Sequence, residues 1–306
     1  MYLGDLEMCG YQEKFQIWKS LWNGDDENSI LKQIQEMMWR AAIFEVLKNI
    51  HNNSLSQNDN KEIPNWIFWD YIFSSHFEIQ ANAIMRLLDR DARKKRDVFS
   101  LYCLILDIKE NCKYLTRNNI LESLNLPYEY KNGLTNPGQD TYETGLCMTS
   151  YSRHKKIDNL TNITDENDRN PSDTISSDII IWIEKQLDIV EIQDIKMYRH
   201  KYVAHAATNE SRCGNDLEDM EISLGKISKA NEIICKVANF IAENILGCSQ
   251  MTFLAANISD VIENFDKPVI SGDGLSLISD KFDEYRRQAE QWCNWNWSSE
   301  FNKSDS

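Results

Sequence analysis

With 306 residues, 42% of them hydrophobic and 26% charged, the chain has the make-up of a folded protein with room for one large or two ordinary domains. Its formal charge of −15 excludes indiscriminate nucleic-acid binding, which depends on an excess of Lys and Arg. The start, Met1-Tyr2-Leu3-Gly4-Asp5, lacks the basic and apolar regions of a signal peptide, and runs such as Ile179-Ile180-Ile181-Trp182-Ile183 are too short to cross a bilayer, so a cytoplasmic protein without membrane contact is expected.

Apolar residues recur at three and four along almost the whole sequence, which predicts an all-α fold. Phe15, Trp18 and Trp22, at i, i+3 and i+7, define a first short helix that Asn23-Gly24 ends. Asp25 or Asn28 then caps a second, carrying Ile30, Leu31, Ile34, Met37, Met38, Ala41, Phe44 and Leu47. The polar, Asn-rich stretch 51–61 reads as a loop. Pro64 suits the first turn of a helix over 65–90 that turns Ile72, Ile79, Ala83 and Leu87 inward. A further helix over 97–111 carries Val98, Leu101, Leu104, Ile105 and Ile108, and Thr116 caps a brief one ending near Leu124.

Residues 127–172 contain Asn132-Gly133, Asn136-Pro137-Gly138 and a long polar run, and read as a loop or insertion away from the core. A helix over 175–192 follows, built on Ile179, Ile180, Ile183, Leu187 and Val190. Asp216 opens a long helix through Met220, Leu224, Ile227, Ile234, Val237 and Ile241, which Gly247 caps. In the stretch 282–297, Trp292, Trp295 and Trp297 sit among polar residues, a pattern suited to docking a tail on a protein groove rather than to stacking on bases.

Chemistry concentrates in Arg199-His200-Lys201-Tyr202-Val203-Ala204-His205. Arginine offers a permanently charged fork that fits a phosphate, and histidine moves protons at neutral pH. Metal-free RNA cleavage needs a base for the 2′-hydroxyl proton, an acid for the leaving 5′-oxygen and positive charge on the transition state. Six positions on a straight α-helix leave two side chains roughly 120° apart. Either Arg199 lies before the first regular turn and reaches forward, or two copies of the segment meet across a two-fold axis, which supplies two histidines and two arginines.

The eight cysteines form no Cys-x-x-Cys, and His200 and His205 are not at i, i+4, so neither a metal nor another cofactor is expected. The strongest basic cluster, Arg86, Arg90, Arg93, Lys94, Lys95 and Arg96, puts three arginines at i, i+4 and i+7 on one helix face. It is equally a phosphate track or a solvated helix end beside Asp89, Asp91 and Asp97.

The Arg199…His205 wording resembles the HEPN superfamily of helical ribonucleases, defined by an arginine, four to six residues and a histidine, and in particular its abortive-infection AbiU-like branch. Upstream, a helix ending in Arg86-Leu87-Leu88-Asp89 before Ser100-Leu101 is similar to the AbiU pattern, so the resemblance runs over about 66–243. It implies a four-helix-bundle core, placed over 64–248 with the 127–172 insertion; outside the resemblance, a packed helical extension is expected at 1–63 and a helical extension with the Trp-rich tail at 249–306. It further implies a homodimer with facing motifs and metal-independent endoribonuclease action leaving a cyclic phosphate. The setting would be toxin–antitoxin or phage defence, with an antitoxin or other defence protein as partner.

By position, Arg199 would orient and neutralise the scissile phosphate and His205 would be the base or acid. His200 stands where many relatives carry Asn or Asp, and would contact RNA or hold Arg199. Lys201 and Tyr202 join Arg86, Arg90 and Arg93 as candidate substrate contacts. Ala206 and Ala207 follow the histidine where toxins silenced by a nucleotidyltransferase carry a modifiable tyrosine, so adenylylation there is not expected. The acidic balance implies a chosen RNA, such as a tRNA loop. The alternative implied by the same resemblance is a catalytically inactive bundle serving as a binding or assembly module in a defence complex.

Overall fold

The computed structural model describes residues 10–57, 66–90, 99–130, 141–203 and 222–248 together with Phe253, Asp283, Glu284 and Arg287, excepting the side chains of 53–57, 141–143 and 202. Among these residues there are nine α-helices and no strand: α1 (Gly10–Asn23), α2 (Ile30–Gln57), α3 (Trp66–Leu87), α4 (Leu101–Glu110), α5 (Arg117–Ser123), α6 (Thr141–Thr161), α7 (Ser177–Gln186), α8 (Val190–Tyr198) and α9 (Leu224–Phe240). Two wider π turns, Arg199–Val203 and Ile241–Leu246, extend α8 and α9. The fold is the all-α bundle expected from the sequence.

Side-chain caps set four of the nine helix starts. Ser100, Thr116, Ser176 and Ser223 sit in extended backbone, and each hydroxyl accepts a hydrogen bond from an amide of the first turn, satisfying a donor with no partner inside the helix. Gly247 ends the second π turn with φ 70°, and a Cβ there would run into the Leu124 side chain, so only glycine serves.

Packing follows from the apolar stripes. The α2 helix lies against α3, α3 packs on α8 and α9, α9 also touches α7, and α4 lies on α7. One continuous buried cluster runs from Phe15, Trp18 and Trp22 through Ile84 and Leu104 to Ile234 and Leu246. The first helix is part of that core, and polar bonds reinforce it: the Trp18 indole donates to Asp107 at 2.7 Å, and Lys14 pairs with the same carboxylate at 2.9 Å.

Four details depart from the sequence reading. The α2 helix continues through Gln57, so part of the 51–61 loop is helical, with His51 packed edge-on against Trp69 of α3. The buried face of α3 is His76, Gln80, Ala81, Ile84 and Leu87, and Ile79 is exposed. The polar members of that face are partnered: His76 stacks on Phe44 at 3.6 Å, and the Gln80 amide donates to the Met37 carbonyl at 3.1 Å and accepts from Asn231 at 3.2 Å. The expected helix over 175–192 is two helices, broken at 187–189. Its buried positions Ile180, Ile183 and Leu187 keep the three-and-four spacing, but the next, Ile192, comes five residues on, so one straight helix cannot bury both sets. Finally, α9 opens at Leu224 under the Ser223 cap rather than at Asp216, which with Met220 lies outside the described residues.

The largest correction concerns 127–172, read as a loop, which contains the 21-residue helix α6. Its buried side chains include Ser150, Arg153, His154 and Asp158 beside Ile157, so its inward face is largely polar and carries no hydrophobic period. Arg117 of α5 and Arg169 pair with Asp158 at 2.9 and 2.6 Å, and Arg153 donates to the carbonyls of Glu243, Asn244 and Ile245, where the second π turn leaves acceptors open.

The chain divides into two compact units, 1–255 and 256–306. In the second, Arg287 Nε donates to the Asp283 carbonyl at 3.2 Å, while Trp292, Trp295 and Trp297 lie outside the described residues.

Candidate functional site

Lys196 of α8 stands three residues after Gln193 and three before Arg199, at the start of the π turn, so it neighbours both, and on α3 Asn82 and Arg86 fall at i, i+4. All five side chains line one cavity of about 660 Å³ where the two helices meet. Arg199 Nε donates to Asn82 Oδ1 at 3.3 Å. Neither Arg199 nor Lys196 has a carboxylate partner among the described residues, and both are exposed.

From Arg199 the backbone widens into the π turn Arg199–Val203. Such turns are uncommon and recur at functional sites. The straight-helix angle between Arg199 and His205 therefore does not apply over 199–203. Behind the motif, Tyr198 is half-buried, and burial, then the Glu78 charge, push its phenol above the usual range.

The cavity gathers cations from four parts of the chain: Arg40 of α2, Arg86 of α3, Arg90 beyond it, and Lys196 with Arg199. Among the described residues Asp89 is the one carboxylate on its wall. A positive lining in a chain of net charge −15 concentrates any anion binding there.

The arginines are not equally available. Glu36 holds Arg40 at 2.5 Å and Arg86 at 3.5 Å, both pairs about half exposed and so worth about 0–1 kcal/mol each. Arg90 is held more firmly: it pairs with Asp188 at 2.6 Å and lies over the Tyr102 ring, 4.2 Å from its centroid. The buried Tyr102 hydroxyl in turn donates to Glu184 at 2.6 Å, and burial with that bond pushes its phenol up to about 12.

Of the residues singled out in the sequence, Arg199, Arg86 and Arg90 line the same cavity. His200 is exposed and Lys201 half-buried on the π turn. His205, Arg93 and the Tyr202 side chain lie outside the described residues. No motif marks Lys196, Gln193, Asn82 or Arg40 in the sequence, although Lys196 stands three residues before Arg199 and Asn82 four before Arg86, the spacings that share a helix face. Among the described residues no group of three His, Cys, Asp or Glu side chains could hold a metal ion, and no helix is long and apolar enough to cross a membrane.

A helical bundle with this motif and upstream pattern is a HEPN-type protein of the abortive-infection kind. The AbiU2 family model matches residues 28–258, most of the chain, and the chain belongs to that family. The match begins earlier than the resemblance over about 66–243 and takes in the whole of α2. No curated protein and no solved structure matches the chain.

Proposed function

We propose that this chain is a metal-independent endoribonuclease of a phage-defence or toxin–antitoxin system, acting as a homodimer on a chosen RNA. The observation that carries the reading is the meeting of Arg199 with four further cations around one cavity of an otherwise acidic chain. Asn82 occupies Arg199 Nε, and both Nη groups have no partner among the described residues. A guanidinium held in that way can offer its remaining fork to two oxygens of one phosphate.

In this mechanism Arg199 orients the scissile phosphate and stabilises charge as the 2′-oxygen attacks phosphorus. His205 takes the 2′-hydroxyl proton, and the histidine of a second copy returns one to the leaving 5′-oxygen, leaving a 2′,3′-cyclic phosphate. In this reading His200, exposed and next to Arg199 in the chain, contacts the RNA or holds Arg199. The acidic balance makes the substrate a defined one, such as a tRNA loop, bound with strong salt dependence.

The test uses purified full-length chain in the presence of a chelator. Cleavage of bulk tRNA is expected to leave cyclic-phosphate ends, and His205→Ala is expected to slow it by about 10²–10⁴-fold with helicity and oligomeric state unchanged. Arg199→Lys, which keeps the charge and loses the fork, is expected to fall in between. Cleavage untouched by His205→Ala, or none by the wild-type chain, sinks the assignment and leaves the binding-module alternative.

A further inference from the structure

The proposed reaction places Arg199 at the scissile phosphate and leaves the rest of the cavity without a task. We infer that the groove between α3 and α8 is a second phosphate subsite for the same RNA strand, in which Lys196, supported by Gln193 and Arg86, holds the phosphodiester next to the one at Arg199. The inference rests on the ribonuclease reading for the identity of its ligand.

Three observations carry it. Gln193, Lys196 and Arg199 line the cavity as a polar row that winds about 120° round the end of α8 and rises about 9 Å in all, too long for one phosphate to meet both ends. Lys196, like Arg199, has no carboxylate partner among the described residues, so a phosphate arriving there displaces solvent rather than a salt bridge. Across the groove Arg86 is held only by a 3.5 Å pair with Glu36, which also serves Arg40 at 2.5 Å, and phosphate can compete for it.

The walls also say what is recognised. With five cations to one carboxylate, and a volume of about 660 Å³, the groove accepts an anion of nucleotide size. Among the described residues its lining offers no platform for a base: Tyr102 is 6% exposed, and Arg90 covers its ring face. A site with phosphate ligands and no aromatic face reads the backbone, so it fixes the register of the strand and tolerates sequence on that side.

Binding is measured separately from cleavage, with full-length protein carrying His205→Ala and two probes, a fluorescent ten-nucleotide single-stranded RNA and bulk tRNA. Adding Lys196→Ala is expected to weaken binding of the RNA about tenfold. It should also flatten the dependence of log K on log salt by about 0.7, the loss of one single-strand phosphate contact. Lys196→Arg should restore both. Lys236→Ala, an exposed cation of α9 off the groove, should change neither.

In the cleaving protein Lys196→Ala should raise KM with kcat within about twofold, because binding is lost equally from ground and transition states. Lys196 variants that behave like Lys236→Ala, or failure to bind either RNA, overturn the subsite; so does binding of ATP in the groove that neither RNA competes away. Lys196-dependent RNA binding by a chain that never cleaves would end the nuclease reading and keep the subsite. Cleavage indifferent to Lys196 would do the reverse.

Discussion

Arginine meets histidine or its motif partners in two regions of this molecule, and the two do opposite things. Around Arg117 the guanidinium is fully buried: Nε donates to Asp173 at 2.9 Å, Nη2 pairs with Asp158 at 2.9 Å, and Nη1 donates to His154 Nδ1 at 3.1 Å. An arginine can only donate, so His154 Nδ1 accepts and its Nε2–H goes to the Tyr128 carbonyl at 3.1 Å. That makes His154 a neutral, fixed ring. Around Arg199 the guanidinium is exposed, one 3.3 Å bond fixes one edge, and the other faces a cavity. The Arg117–His154 contact is thus the better hydrogen-bonded of the two and the poorer candidate for chemistry. What marks a site here is donors without partners beside open volume.

The largest effect should come from breaking the buried cluster. Arg117→Leu removes the cation from Asp173 and the donor from His154 Nδ1 and leaves Asp158, 9% exposed, to Arg169 alone, a loss of about 3 kcal/mol, the low end of what removing one partner of a buried pair costs. Urea unfolding monitored by circular dichroism should show that loss, while Arg199→Ala, at an exposed position, should stay within about 0.5 kcal/mol. Equal midpoints for the two variants would erase the distinction between a structural and an available arginine.

A second, smaller effect is a pH dependence of stability. Burial, joined at His154 by the Arg117 charge, holds His154 and His76 down to about 4, against the usual 6.5. Below pH 6.5 the unfolded chain takes up protons that the folded chain refuses until about pH 4, so stability is complete above 6.5 and declines as pH falls through that window. The limit is about 1.4 kcal/mol per pH unit for each histidine. Between pH 6.5 and 5, above most carboxylate titration, His154→Gln should have a shallower slope than wild type. An unchanged slope would remove His154 from the buried, neutral class.

The same contrast explains how much could be read from the chain. Stripes such as Phe15, Trp18, Trp22 and Leu101, Leu104, Ile105, Ile108 gave true helices because one apolar face is all that packing asks of them. The caps Thr116 and Gly247 were legible because their conformations admit few residue types. Helix α6 was hidden because Arg153, His154 and Asp158 are buried in ion pairs and backbone bonds whose partners lie up to 92 residues away. In the site, Arg199, Arg86 and Arg90 stood out as a motif and a cluster. Lys196 and Asn82 did not, because their meaning lies in facing each other across α3 and α8.

The finest test divides two arginines that look alike in sequence. Arg86 and Arg90 stand four residues apart and read as one track, yet Arg90 has a 2.6 Å carboxylate and a tyrosine ring, and Arg86 has only a shared carboxylate at 3.5 Å. The Asp188 pair is about half exposed, so it and the ring contact together are worth about 1 kcal/mol. Replacing Arg90 alone would leave Asp188 as a new negative charge at the rim and weaken any anion site indirectly. The double change Arg90→Gln with Asp188→Asn keeps the net charge and isolates the contact. It should lower stability by about 1 kcal/mol and leave RNA affinity within about twofold, whereas Arg86→Gln should weaken binding about tenfold. Equal losses would mean that an arginine already held by carboxylate and ring still binds RNA, and that occupancy in the free protein does not tell structural from working arginines.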